Sequence, residues 1–265
     1  MIRTLRPALG GLLVWTALAW AQRPPDADAA ALIERSRQKA LDYAKSLPDF
    51  ECTEVVRRYT DADPQQERFR PVPIDKLAIK LRYFQHKEEH KLVLIDDQPA
   101  DRTFESLDGA IGTGEFGATL SAIFDPASQT SFHWESWKNG RKRRTAVYAY
   151  IVEPAHSRYL MIVGATGTAR EAVVGYHGAL EIDSETGEVL HFAYVADHIP
   201  KELVLKYAST TVDYDLADIG GRDYLLPVRS EARMGSPGVS VRNEIEFREY
   251  RKFSADSSID YGPAK

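Results

Sequence analysis

Gly112-Thr113-Gly114-Glu115-Phe116-Gly117 matches the pattern G-x-G-x-x-G letter for letter. A dinucleotide site of that kind needs a parallel strand before the glycines and a full crossover helix after them. Here residues 103–108 make at best a weak strand, and the chain downstream reads as hairpins. The glycines are therefore expected to turn a loop onto a sheet and start a short helix. Ser36-Arg37-Gln38-Lys39 matches S-x-x-K, yet the accompanying S-D-N and K-T-G elements are absent and the tetrad sits on a polar helix face. His86 and His90 stand four apart with Glu88 and Glu89 between them. That interval aligns metal ligands on a helix, whereas this stretch reads as a solvated hairpin tip. His177 and His191 fall on neighbouring strands of one hairpin, without a carboxylate or cysteine beside them. Asp96, Asp97 and Glu181 are the acids a hydrolase would use, but no spacing pairs them. No catalytic residue, metal ligand or cofactor is assigned.

Lys138, Arg141, Lys142, Arg143 and Arg144 form the one basic cluster, around Asn139-Gly140 and beside Trp134 and Trp137. Two readings stand. The cluster meets anionic headgroups or an acidic partner, with the tryptophans at the polar–apolar boundary. Alternatively, it is a solvated hairpin end whose charges deter edge-to-edge pairing. Cys52 is the only cysteine, so no disulfide can form within the chain. In Phe50-Glu51-Cys52-Thr53-Glu54-Val55 it reads as a small buried hydrophobe of a strand.

The elements that position these residues show two periods. Leu32, Ile33, Ser36, Ala40, Tyr43 and Ala44 recur at helical spacing, predicting a helix from Asp28 to Leu47 that Pro48 stops. From Phe50 onward the period is two. Leu77, Ile79, Leu81 and Tyr83 alternate with Lys76, Ala78, Lys80 and Arg82. Hairpin turns are expected at Asn139-Gly140, at residues 183–187 and at residues 219–223. The count is ten or eleven strands at hairpin spacing, which favours a curved antiparallel half-barrel or open barrel. Gly175 and Gly178 inside a good strand imply a bend or a close approach. Phe116, Leu120, Ile123 and Phe124 form one face of a short inserted helix.

Arg3 and Arg6 precede an apolar run from Pro7 to Trp20, and Ala19-Trp20-Ala21 offers the small residues that a signal peptidase reads. The run is shorter than the ~20 residues that a membrane span needs. A secretory signal peptide cut after Ala21 is expected, followed by a linker (22–27), a single β domain (28–256) and a flexible tail (257–265). The mature chain would be periplasmic or secreted, with no transmembrane span. Cleavage removes two arginines and no acid, moving the formal charge from −5 to −7. Neither that charge nor export suits a nucleic-acid partner.

The stretches 47–59 (LPDFECTEVVRRY), 114–124 (GEFGATLSAIF) and 219–228 (IGGRDYLLPV) resemble a group of exported bacterial proteins to which no activity is assigned. More broadly, a leading amphipathic helix followed by many antiparallel strands with a short helical insertion resembles the LolA/LolB-like periplasmic lipoprotein carrier superfamily. That resemblance implies a concave apolar face, partly covered by helices, that accepts acyl chains or another hydrophobic ligand. By position, Leu32, Phe116, Leu120, Phe124, Trp134, Tyr148 and Tyr150 would form the cavity and its lid. A lipid or lipoprotein ligand and an envelope protein partner are implied with it. The competing expectation is a structural or interaction domain of the cell envelope whose interior is filled.

Overall fold

The computed structural model describes residues 24–61, 70–107, 115–140, 143–163 and 169–253; the signal-peptide and tail readings lie outside them. Helix α1 (Asp26–Ser46) leads into β1 (Phe50–Asp61), β2 (Pro71–Phe84), β3 (Lys87–Ile95) and the two-residue β4 (Gln98–Pro99). Helix α2 (Ala118–Phe124) precedes β5 (Ser131–Asn139), β6 (Arg144–Val152), β7 (Tyr159–Val163), β8 (Arg170–Asp183) and β9 (Val189–Asp197). Strands β10 (Tyr207–Asp218), β11 (Asp223–Ser236) and β12 (Val239–Lys252) complete the domain. The strand order is β4-β3-β2-β1-β12-β11-β10-β9-β8-β6-β5, all antiparallel, with β7 paired to the far half of β8. Pairing of β1 with β12 joins the two ends of the domain, while β4 and β5 remain unjoined. The sheet is a curved half-barrel that does not close.

The curved antiparallel architecture is the expected one, with twelve strands among the described residues where ten or eleven were expected. β4 is too short for any periodicity to show. Helix α1 begins at Asp26, inside the stretch read as linker. Residues 104–106 form a 3-10 turn instead of a weak strand. Two-residue hairpins at Gln85-His86 and Asp96-Asp97 have both residues in the left-handed region, the geometry that matches strand twist. Asp96 and Asp97 are therefore turn residues. Asp96 accepts from the Lys76 amide and Asp97 from the Lys76 ammonium.

Curvature has visible causes. Among the described residues, register shifts interrupt six strand pairs, and each bulge bends its strand. At Gly178 a Cβ would lie 1.8 Å from the Ala193 carbonyl oxygen, so β9 approaches closer than any side chain permits. α1 lies across the concave face, with Leu32, Ser36 and Ala40 buried beneath it. The Ser36 hydroxyl donates back to the Leu32 carbonyl at 2.9 Å, which commits it to the helix itself. One buried cluster unites α1 and α2 with β6, β8, β9 and β10. A second fills the space over β1, β2, β11 and β12. Tyr43 packs against both.

Candidate functional site

α2 is short and two-sided. Leu120, Ile123 and Phe124 are buried against the sheet and α1, whereas Ala118, Thr119 and Ala122 face the other way. Those small side chains cover the concave surface without filling it. What remains is a groove of about 670 Å³, within the usual range for a ligand pocket. Its floor comes from the inward-facing residues of β8, β9 and β10, chiefly Tyr176, Tyr194 and Thr210, and Glu88 and His90 of β3 form the opposite wall.

Tyr159, Tyr176 and Tyr194 pack edge to face with ring centroids 5.3–5.9 Å apart, the arrangement that aromatic quadrupoles favour. Burial pushes the Tyr176 phenol up to about 12. Tyr194 is pushed up by burial and then by neighbouring Tyr159, against a hydrogen bond with Thr210. Neutral hydroxyls and ring carbons therefore form the floor, a surface suited to apolar or amphipathic material.

At the polar end, His90 stacks on Phe104 with centroids 4.9 Å apart, and its Nε2 lies 3.5 Å from Glu54 Oε1. Burial works to lower the His90 pKa, but the Glu54 hydrogen bond and the charges of Glu54, Glu88 and Glu115 outweigh it and leave it raised. Arg58 of β1 makes a bidentate pair with Asp75 of β2, both side chains about nine-tenths buried. His90 thus stands in a strand and not in a solvated turn; His86 alone occupies the exposed tip. Among the described residues no group of histidine, cysteine, aspartate or glutamate is arranged to hold a metal ion.

A second opening of about 560 Å³ lies between α1 and the ends of β9–β11, with Tyr43, Leu120 and Tyr214 on its walls. Tyr43 bridges it, its hydroxyl donating to the Leu225 carbonyl at 2.9 Å. The helices are seated between two openings.

Leu32, Leu120, Phe124, Tyr148 and Tyr150 meet in the first buried cluster, with Trp134 packed against it, and Phe116 belongs to the second. Together they make the seam between helices and sheet. Of these, Leu120 borders the 560 Å³ opening and none lines the 670 Å³ groove. The groove's own residues escape a reading of the sequence, although Tyr176 between Gly175 and Gly178 and the small face of α2 are the available signals. In the basic cluster, Lys138 pairs with Glu181 at 2.6 Å and Arg143 with Asp183 at 3.7 Å. The Arg144 guanidinium lies 3.9 Å over the Trp137 ring; Arg141 and Lys142 fall outside the described residues. His177 and His191 do not face each other. Each pairs with its own aspartate, Asp197 and Asp213. Gly117 serves close packing: a Cβ there would sit 2.7 Å from the Tyr43 ring. Gly112 and Gly114 are outside the described residues. Cys52 is buried, and burial followed by the charge of Glu54 pushes its thiol up.

The architecture is similar to that of known structures. A LolA superfamily protein from Nitrosomonas europaea shares 10% identity, over 85% of this chain and 94% of that one, at a TM-score of 0.39. A DUF1329 family protein from Desulfovibrio piger shares 11% identity, over 86% and 94%, at 0.43. A domain described as an outer membrane lipoprotein-sorting protein, from Vibrio parahaemolyticus, shares 10%, over 87% and 95%, at 0.38. The likeness is one of architecture. No family model and no curated protein matches the sequence. No helix among the described residues is long and apolar enough to cross a membrane.

Proposed function

We propose that this chain is an exported, non-catalytic carrier that holds a hydrophobic or amphipathic ligand, such as a lipid acyl chain, between α2 and the concave sheet. The observation that carries this reading is the 670 Å³ groove kept open by Ala118, Thr119 and Ala122 opposite three packed tyrosines. Each methylene taken out of water there contributes about 0.8 kcal/mol, so affinity should rise roughly fourfold per carbon until the groove is full. Leu32, Phe116, Leu120, Phe124, Trp134, Tyr148 and Tyr150 would become cavity wall only when α1 and α2 lift from the sheet. The hairpin end with Lys138, Arg143 and Arg144 is the surface on which the carrier would meet an anionic membrane or an acidic envelope partner.

A second reading has its own support. Where α1 and α2 meet the sheet the concave face is filled, with Phe124 and Tyr150 at 0% exposure, as a purely structural envelope domain requires. Uptake of a fluorescent fatty acid by wild type and Ala122→Trp decides between them. Ala122 is half-buried on the groove side of α2, so an indole there occupies the groove without touching the core. The carrier reading expects wild-type binding in the micromolar range and at least a tenfold loss in the variant at unchanged Tm. Absence of uptake by wild type, with no lipid released on solvent extraction, supports the structural domain.

A further inference from the structure

Glu115 sits in the turn that enters α2, two residues before Gly117, and is only 7% exposed. Its neighbours come from several strands. Glu54 and Arg58 belong to β1, Glu88 and His90 to β3, Tyr214 to β10, Ser230 to β11 and Asn243 to β12. The Ser230 hydroxyl donates to its carboxyl at 3.4 Å, and the Tyr214 hydroxyl donates to its backbone carbonyl. Arg58 is engaged bidentately by Asp75. The adjoining void, shared by Glu54, Arg58, Glu115 and Asn243, measures about 30 Å³. It admits about one water, too little to hydrate a carboxylate.

A charge on Glu115 is therefore costly where the side chain now lies, and Glu54 beside it adds repulsion. Burial first, and Glu54 second, push the Glu115 carboxyl up to about 7, while His90 works the other way. The left-handed joint at Gly117, φ 109°, connects this residue to the helix.

We propose that Glu115 is a proton-operated latch on α2: protonated, it stays seated and holds the helix over the groove; ionised, it is driven toward water and carries α2 off the sheet. Its consequence for ligand exchange rests on the groove being the binding site. The sign follows from linkage. The acid binds its proton more tightly with α2 docked than with α2 lifted, so docking is favoured at low pH. That advantage fades as pH rises from the ordinary 4.5 toward about 7.

Hydrogen exchange of residues 117–124, normalised for intrinsic rates, tests this in the intact exported protein. Between pH 5.5 and pH 8 the opening of α2 in wild type should increase about thirtyfold. Glu115→Gln should remove most of that increase and keep α2 protected at both values. Glu54→Gln, which takes away the second push, should move the midpoint of the transition downward. Exchange that is flat in wild type, or that rises equally in Glu115→Gln, overturns the latch. Fatty-acid uptake measured on the same samples separates the two proposals. Uptake alongside flat exchange keeps the groove and removes the latch. A pH-dependent α2 without uptake in any sample keeps the latch and removes the ligand.

Discussion

Gly117→Ala is the sharpest test of how the helices are joined. At φ 109° and ψ −13°, Gly117 adopts a backbone conformation that a residue with a Cβ strongly avoids. Forcing alanine into it costs about 1–3 kcal/mol. The added Cβ would also lie 2.7 Å from the Tyr43 ring, 3.2 Å from the Ala44 Cβ and 3.4 Å from the Ala44 amide nitrogen. Tyr43 cannot easily yield, because its hydroxyl is held by the Leu225 carbonyl and its ring sits edge-on to Tyr214 at 5.9 Å. The relief available is to move α2 away from α1. Backbone strain and the Cβ contacts together should cost about 2–3 kcal/mol. In a domain of this size that corresponds to a Tm lowered by roughly 4–12 °C. Thermal unfolding by circular dichroism measures the drop, and hydrogen exchange should show residues 117–124 opening at temperatures where the β10–β11 pair stays protected. A Tm within 1 °C of wild type would refute the claim that the glycine is there for helix contact. A Tm loss with uniform exchange through the sheet would refute the claim that α2 moves independently.

The buried polar groups give two more expected outcomes. Asp75→Asn leaves the buried Arg58 charge without its carboxylate and should cost about 3–5 kcal/mol in urea unfolding. The Arg58→Leu/Asp75→Leu double variant should lose clearly less than the sum of the two single changes, and simple additivity would show that the pair is not coupled. Cys52, 3% exposed with its thiol pushed up by burial, should react with a thiol reagent only as fast as the protein unfolds; rapid labelling of native protein would place it elsewhere.

How far the fold is legible in the sequence depends on which interactions decide each feature. The strands and α1 are legible because alternation and helical spacing are local: Leu77-Ile79-Leu81-Tyr83 point inward and Lys76, Ala78, Lys80 and Arg82 outward in β2, as the pattern requires. β4 is not, since two residues carry no period. The region 103–108 misleads because Phe104 turns to stack on His90, a contact between separate elements. His90 itself reads as solvated from its neighbours Lys87, Glu88 and Glu89. Its register opposite Leu81 instead aims it at the concave face. The expected lid residues are large and apolar. Those are the residues that packing consumes first, and they form the seam and not the groove.

The same competition decides whether a half-barrel becomes a container or a core. Where α1 and α2 meet the sheet, large side chains fill the space between them, Phe124, Tyr148 and Tyr150 coming from both layers. On the outer face of α2 the residues are alanine and threonine, and the sheet contributes tyrosine rings that pack edge to face on one another. Space is thus created by what the helix lacks. Meanwhile Glu54, Arg58, Glu115 and Asn243 occupy positions on the same face where apolar residues would have been more stable, since an ion pair or buried acid rarely outperforms well-packed hydrocarbon. A domain selected only to be a filled scaffold gains nothing from either choice. A domain that must hold a ligand beneath a movable cover gains from both, because small residues leave the ligand room and a buried acid makes docking of the cover depend on a proton.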